Sequence, residues 1–148
     1  MARILIVEDE THQRELYSLE LSDDGHEVHT ASNGKEAIEK MGKKNYDIVI
    51  MDIIMPYFNG IEALEMIYSM KPSQTVIVYT AYSDYRKLPH SLKVNAFLTK
   101  SSDLSTLKNK INELALQTNS QIGDGINEAG LTKVDAKAIS GKKRRGVS

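Results

Sequence analysis

A set of polar side chains follows directly after short apolar runs and carries groups that could do chemistry. The set consists of Glu8, Asp9, Asp52, Thr80 and Lys100. If the apolar runs are strands of one parallel sheet, these side chains meet in one crevice, because ligands bind beyond the carboxyl ends of such strands. Three converging carboxylates cannot all stay ionised without compensation. Either one of them is protonated or a cation occupies the crevice.

The oxygen-only ligand set favours Mg²⁺ or Mn²⁺ that keeps some of its water and binds a phosphate. Lys100 supplies a second positive charge, and the Thr80 hydroxyl can donate to an anionic oxygen. Around one aspartate, these groups could stabilise charge on a transferring phosphoryl group. Asp52 would then be the nucleophile and would form an acyl phosphate. A carboxylate that merely caps a loop is the alternative for Asp52 taken alone.

The apolar runs themselves predict the strands that position this chemistry. Residues 4–7, 48–51 and 76–79 are nearly continuous in apolar side chains, which is typical of strands buried on both faces of a parallel sheet. The run at 96–98 is weaker. The alternating segment at 28–31 predicts a less buried, edge-like strand.

Helical periodicity fills the intervals between the predicted strands, and the expected helices cover residues 11–23, 35–44, 61–70 and a segment from 104 to 117. The apolar face expected for the first helix combines Leu16, Tyr17, Leu19 and Leu21. A further helix should be short or begin near Pro89. Strand and helix alternate five times, which predicts an α/β fold with helices on both faces of a parallel sheet.

Four motifs resemble, in order and spacing, the response-regulator receiver domain of two-component systems, including the chemotaxis regulators. They are Val7-Glu8-Asp9, Met51-Asp52-Ile53-Ile54-Met55-Pro56 with Gly60, Tyr79-Thr80-Ala81, and Ala96-Phe97-Leu98-Thr99-Lys100. The match covers about residues 2–117. It implies a flavodoxin-like, doubly wound sheet of five strands in the order 2-1-3-4-5. It also implies a phosphorelay protein that accepts phosphate from a histidine kinase or phosphotransfer protein, and not an enzyme.

The resemblance also implies roles for the residues of the crevice. Asp52 matches the phosphorylated aspartate, Asp9 the direct metal ligand, and Glu8 the acid that usually acts through water. The backbone carbonyl of Ile54 would complete the shell of Mg²⁺ or Mn²⁺. Lys100 matches the lysine of the family.

Further positions match the switch and the path of hydrolytic water. Thr80 matches the switch hydroxyl, and Phe97 the aromatic side chain that changes rotamer on activation, although a simple core role remains open for it. Ile54 and Tyr82 lie two residues beyond Asp52 and Thr80, at the positions that tune dephosphorylation. Neither side chain can orient water well, so we expect a long-lived phosphoaspartate.

One departure from the family pattern lies beside the lysine. Ser101 follows Lys100, where the family usually has a proline after a cis peptide bond. A cis bond before a residue other than proline costs about 3–4 kcal/mol, so the geometry of this turn stays open.

Composition excludes several classes of protein and divides the chain in two. The sequence has no cysteine, which excludes disulfides, thiolate metal sites and thiol catalysis. Neither a membrane span nor a signal-peptide layout is recognisable, so we expect a cytoplasmic protein. Residues 1–117 hold 13 basic and 17 acidic side chains, whereas 118–148 hold six and three. The latter segment, with its run Lys142–Arg145, predicts a mobile polar tail.

Three alternatives accompany the phosphoacceptor hypothesis. An aspartate-nucleophile phosphatase or hydrolase would share the crevice but commonly carries an acid where Ile54 stands. A nucleotide-binding domain is disfavoured because the turn at residues 8–11 is acidic and lacks glycine. The chain could also be the receiver fragment of a DNA-binding transcriptional regulator, although nucleic-acid binding by this chain alone is not expected. A phosphorylation-linked homodimer would use the helix near Pro89, the fifth strand and the last helix.

Overall fold

The computed structural model of the protein describes residues 1–54, 59–81 and 92–127, with the backbone alone for residues 118–127. Its elements, in chain order, are β1 (Arg3–Val7), α1 (Thr11–Asp23), β2 (Glu27–Ala31), α2 (Gly34–Lys43), β3 (Ile48–Met51), α3 (Gly60–Met70), β4 (Val76–Thr80), β5 (Ala96–Thr99) and α4 (Ser105–Asn127). Among these described helices, none combines the length and apolar character needed to cross a membrane.

The five strands form one parallel sheet in the order β2-β1-β3-β4-β5, as predicted. Every residue of β3 and β4 is buried, which accounts for their continuous apolar sequence. The strands β2 and β5 lie at the two edges and are mostly half-buried. Because β1 and β3 are neighbours in the centre, their carboxyl ends open onto one crevice.

Apolar side chains cover both faces of this sheet. One face carries Leu5 and Val7 of β1, which belong to a buried cluster that includes Ala37 of α2 and Leu64 of α3. The alternate side chains of β1 and β3 point to the other face and are also buried, since a strand has a period of two. On that second face the ring of Tyr17 in α1 packs edge-on against Tyr79 of β4, with ring centroids 5.5 Å apart.

The predicted apolar face of α1 is only half right. Tyr17 and Leu21 are buried, but Leu16 is 45% exposed and Leu19 is 61% exposed. Tyr17 and Leu21 lie four residues apart and therefore share one stripe. Successive residues of a helix are rotated by about 100°, so Leu16 and Leu19 point away from that stripe. The helix thus buries a narrower stripe than the four apolar residues predict.

The last helix is longer than predicted. It runs to Asn127, ten residues beyond the expected boundary at residue 117. The backbone hydrogen bonding of the helix thus continues past the point where the apolar periodicity ends. The chain divides into two units, Met1–Ile111 and Asn112–Ser148, and the site below belongs to the first. The helix predicted near Pro89 and the basic run Lys142–Arg145 lie outside the described residues.

Candidate functional site

Three carboxylates converge at the carboxyl ends of the central strands. Glu8 and Asp9 follow β1, Asp52 follows β3, and one oxygen of each lies within 4.8 Å of the other two. Glu8 and Asp52 are buried, with 2% and 7% of their surface exposed, and Asp9 is the most exposed of the three. The predicted acidic cluster is therefore present, and the sheet topology creates it.

The loop after β1 is held by hydrogen bonds that fix the Glu8 carboxylate. The backbone N–H of Glu8 donates to the Ala31 carbonyl of the neighbouring strand at 3.0 Å. The Glu8 Oε2 atom accepts from the backbone N–H of Glu10 at 3.1 Å. Glu10 also caps α1 by accepting from the Gln13 N–H at 2.8 Å. Arg14 Nη1 donates to the Glu8 carbonyl at 2.8 Å, which ties this loop to the first turn of the helix.

The segment after β3 positions Asp52 in a similar way. Its backbone N–H donates to the Val7 carbonyl of β1 at 3.2 Å, and its Oδ1 atom accepts from the Ile54 N–H at 2.9 Å. A Cβ atom added to Gly60 would lie 2.4 Å from the Cα and the carbonyl oxygen of Ile53. The start of α3 therefore approaches the backbone beside Asp52 so closely that only glycine fits there.

Lys100 bridges the acids from the end of β5. Its Nζ atom lies 2.8 Å from Asp52 Oδ2 and 2.8 Å from Glu8 Oε1, and its side chain is 14% exposed. The backbone N–H of Lys100 donates to the Thr80 carbonyl at 2.7 Å, which fixes the lysine beside the end of β4. The ammonium group thus holds together two carboxylates from different strands.

Burial and charge act in opposite directions on these groups. Burial raises the pKa of Glu8 above its ordinary value of 4.5, although the hydrogen bonds from Lys100 and Glu10 partly counteract it. Burial alone would lower the pKa of Lys100, but its hydrogen bonds to Asp52 and Glu8 outweigh that effect and raise the pKa. Lys100 therefore stays charged at neutral pH, and its charge favours the ionised form of Glu8.

The other predicted site residues lie at varying distances from this cluster. Thr80 is fully buried at the end of β4, and its carbonyl accepts from the Lys100 N–H. Phe97 is half-buried in β5, opposite Val78 of β4, and packs against the core. The Ile54 side chain is 54% exposed beside the crevice. Tyr82 lies outside the described residues, so its predicted place remains a prediction.

The structure adds Gln13, which we did not predict from the sequence. Its Oε1 atom accepts from Lys100 Nζ at 2.6 Å and from the Tyr17 hydroxyl at 3.3 Å. Gln13 lies four residues before Tyr17 on the buried stripe of α1, at the end nearest the crevice. A polar residue that heads an apolar stripe and points toward the predicted site is the signal that could have identified it.

The turn after Lys100 also has a partner that we did not predict. The Tyr79 hydroxyl donates to the Ser101 carbonyl at 3.3 Å and accepts from the Ser101 N–H at 3.2 Å. A proline at position 101 has no N–H and could not make the second hydrogen bond. Serine here therefore makes a contact that the usual residue of the family would not.

The donor set is suited to a hard divalent cation. Glu8, Asp9 and Asp52 offer carboxylate oxygens only, within a span that one ion can bridge. Mg²⁺ prefers such oxygen ligands and is commonly held by few carboxylates together with water. With all three acids ionised and Lys100 protonated, the cluster carries two net negative charges, which a divalent ion would balance.

Comparison with known proteins gives the same family from sequence and from structure. The family model for the response regulator receiver domain matches residues 4–112. The regulatory protein AtoC of Escherichia coli is 38% identical over 120 residues, which are 80% of this chain and 26% of AtoC. The chain thus spans about a quarter of that longer relative. The chemotaxis protein CheY of Thermotoga maritima is 34% identical over 76% of this chain and 97% of CheY.

A solved relative has the same fold. The response regulator TrrA of Thermotoga maritima, solved with Mg²⁺ and BeF, is 42% identical with a TM-score of 0.72, over 77% of this chain and 99% of TrrA. TrrA has also been solved in complex with the histidine kinase ThkA, where the identity is 42% and the TM-score is 0.71. The chain therefore belongs to the response regulator receiver domain family, with a CheY-like flavodoxin fold.

Proposed function

We propose that this chain is an Mg²⁺-dependent phosphoacceptor of a phosphorelay, with Asp52 as the residue that a histidine kinase or phosphotransfer protein phosphorylates. One observation carries the proposal. A buried aspartate is paired with a lysine at 2.8 Å and lies within 4.8 Å of two further acids. Such a cluster combines a nucleophile, a fixed cation and a binding site for a second cation.

The transfer step forms one bond and breaks one. A carboxylate oxygen of Asp52 attacks phosphorus, and the bond between phosphorus and the donor's histidine nitrogen breaks. The electron pair of that bond stays on the nitrogen, and the product on this chain is an acyl phosphate. Asp52 is ready to attack because the Ile54 N–H and the Lys100 ammonium hold its two oxygens in place.

The residues that would hold Mg²⁺ are Glu8, Asp9 and Asp52, with the Ile54 carbonyl as a fourth ligand. When bound, the ion supplies positive charge that stabilises the phosphoryl oxygens during transfer. Lys100 supplies a second positive charge from the side of β5, and the Thr80 hydroxyl supplies a hydrogen bond to a phosphoryl oxygen. This role requires the ionised form of Glu8, which the Lys100 ammonium at 2.8 Å favours.

The relatives support a partner and leave several outputs open. TrrA is known in complex with a histidine kinase, which supports a kinase as the phosphate donor here. The match to nearly the whole of CheY shows that a related domain makes up almost all of one chemotaxis protein. The partial match to AtoC supports a receiver attached to a longer regulator. In either case the output is a change in the partner-binding surface, which begins at Thr80 and Phe97. This signalling takes place in the cytoplasm. A phosphorylation-linked homodimer is one form of the output.

Intact mass spectrometry after incubation with a small phosphodonor and Mg²⁺ tests the assignment. We expect one phosphoryl group on the wild-type chain, none on Asp52→Asn, and none on wild type when a chelator removes Mg²⁺. Asp23→Asn, an exposed aspartate of α1, is the matched control and should be phosphorylated like wild type. Equal phosphorylation of Asp52→Asn would refute the proposal. Steady release of many phosphates per chain would favour a phosphatase.

A further inference from the structure

The Lys100 ammonium is surrounded by three acceptors, and only two of them belong to the acidic cluster. Besides Asp52 and Glu8 at 2.8 Å, Gln13 Oε1 accepts from Nζ at 2.6 Å. An ammonium group has three N–H donors, so this arrangement uses every one of them. Gln13 is the one neutral acceptor of the three and comes from a different element, α1.

We propose that Gln13 is the positioning residue for Lys100, holding its ammonium group in the crevice while Asp52 exchanges its partners. This inference rests on the proposed function, because it concerns the lysine of the same site. A neutral amide oxygen can hold the ammonium without adding a fourth negative charge beside the metal ligands. It therefore does not compete with Asp52 for Mg²⁺ or repel an incoming phosphoryl group.

Gln13 is itself held firmly enough for this role. Its backbone N–H donates to Glu10 Oε1 at 2.8 Å within the cap of α1. Its Oε1 atom accepts a second hydrogen bond, from the Tyr17 hydroxyl at 3.3 Å, and the Tyr17 side chain is buried. The carboxamide oxygen thus sits between a fixed helix start and a buried phenol, and loses little freedom when it binds Lys100.

The contacts of Gln13 belong to a continuous series of contacts that starts and ends at Lys100. Tyr17 packs edge-on against Tyr79, and the Tyr79 hydroxyl binds both backbone groups of Ser101. Ser101 follows Lys100 directly, so the last contact of this series lies beside the lysine in the backbone. Gln13 therefore holds the ammonium group of Lys100, and Tyr79 holds the backbone of the next residue, Ser101. The two contacts are linked because Tyr17, which binds Gln13, packs against Tyr79.

The contact between Gln13 and Lys100 matters most when Asp52 is phosphorylated. Phosphorylation converts the carboxylate that pairs with Nζ into an acyl phosphate, so the 2.8 Å contact to Oδ2 must rearrange. With Gln13 and Glu8 still bound, the ammonium keeps two of its partners and directs its third N–H toward the phosphoryl group. Without Gln13, the long lysine side chain has only Glu8 to hold it during that exchange.

One experiment measures how firmly the Lys100 ammonium group is held, and a second measures the phosphorylation rate. In protein labelled with ¹⁵N-lysine, the Lys100 ¹⁵Nζ–¹H signal is assigned by its loss in Lys100→Met. The signal should be sharp in wild type, because bound ammonium protons exchange slowly with water, and broadened in Gln13→Ala. Gln13→Glu keeps an acceptor oxygen at the same distance and should restore the signal. Gln117→Ala, an exposed glutamine of α4, is the matched control and should leave it unchanged.

The same variants are then phosphorylated with a small phosphodonor, and Mg²⁺ binding is measured by calorimetry. Gln13→Ala should lower the phosphorylation rate about tenfold, the scale of one hydrogen bond to a charged group, and leave the Kd for Mg²⁺ within about twofold. A general loss of structure would weaken both. An unchanged Lys100 signal or an unchanged rate in Gln13→Ala would overturn the inference. If wild type accepts no phosphate, the proposed function fails, whereas the lysine signal still decides whether Gln13 holds Lys100.

Discussion

Replacing Lys100 with methionine should destabilise the fold on the order of 3 kcal/mol at neutral pH without Mg²⁺. Methionine keeps an unbranched apolar stem but removes the charge that binds Asp52 and Glu8 at 2.8 Å. Removing one partner of a buried ion pair leaves an uncompensated charge and costs about 3–5 kcal/mol. We take the lower end because each carboxylate keeps a backbone hydrogen bond, from Ile54 or Glu10. Urea unfolding in the presence of a chelator measures this loss.

The loss should shrink as the pH falls, because of Glu8. Burial already raises the pKa of Glu8 in the folded protein, and removing Lys100 takes away an influence that lowers it. A carboxyl whose pKa is raised on folding stabilises most below its unfolded value, and that stability is lost as the pH rises through the folded pKa. The gap between wild type and Lys100→Met should therefore be wide at pH 7 and narrow near pH 4.

Mg²⁺ should restore much of the stability of the variant, since the ion can supply the missing positive charge. At about 100 times its Kd, a ligand adds about 2.7 kcal/mol, and the variant should bind Mg²⁺ more tightly than wild type without the opposing ammonium. Lys108→Met is the matched control, because Lys108 pairs with Glu20 at the surface and should matter far less. If both lysine variants unfold at the same urea concentration, or if Mg²⁺ stabilises wild type and Lys100→Met equally, this reasoning is wrong.

Two further predictions concern the backbone and the lifetime of the phosphate. Gly60→Ala should lower both urea stability and phosphorylation, because its Cβ would lie 2.4 Å from Ile53, whereas Gly42→Ala meets no atom within 4 Å and should stabilise by about 0.5–1 kcal/mol. Equal effects of the two substitutions would refute the close approach. Loss of phosphate, measured by intact mass, should be slow in wild type and faster in the double variant Ile54→Asn, Tyr82→Glu, since polar side chains there can orient water. Equal or slower loss in that variant would contradict this prediction.

The strands could be predicted because burial constrains them so strongly, whereas their order followed from the resemblance to the receiver family. A strand covered on both faces must be apolar throughout, which makes the runs ending at Val7, Met51 and Thr80 visible in the sequence. The sheet topology then brings the residues after them together without any knowledge of side-chain contacts. This is why Glu8 and Asp52 could be assigned to one cluster although they are far apart in the chain.

Side-chain partners within that framework were less predictable. The three leucines and one tyrosine of α1 fit several stripes, and only packing decides that Tyr17 is buried and Leu19 exposed. Gln13 is an amide, a residue type that is usually exposed, and its sequence position says nothing of the lysine to which it binds. The contact of Tyr79 with Ser101 depends on how the turn after β5 folds, which a pattern of residue types does not specify.

The acidic cluster and its lysine explain how the site can be assembled before any metal binds. Three ionised carboxylates alone would repel one another and force the ends of β1 and β3 apart. Lys100 lowers this repulsion by bridging Glu8 and Asp52, yet it leaves two net negative charges, so the cluster still attracts a divalent ion. A second fixed cation would leave one net negative charge and weaken that attraction, whereas no fixed cation would leave the acids unsupported. One lysine, held by a neutral glutamine, keeps the ligands in place and leaves room for the ion.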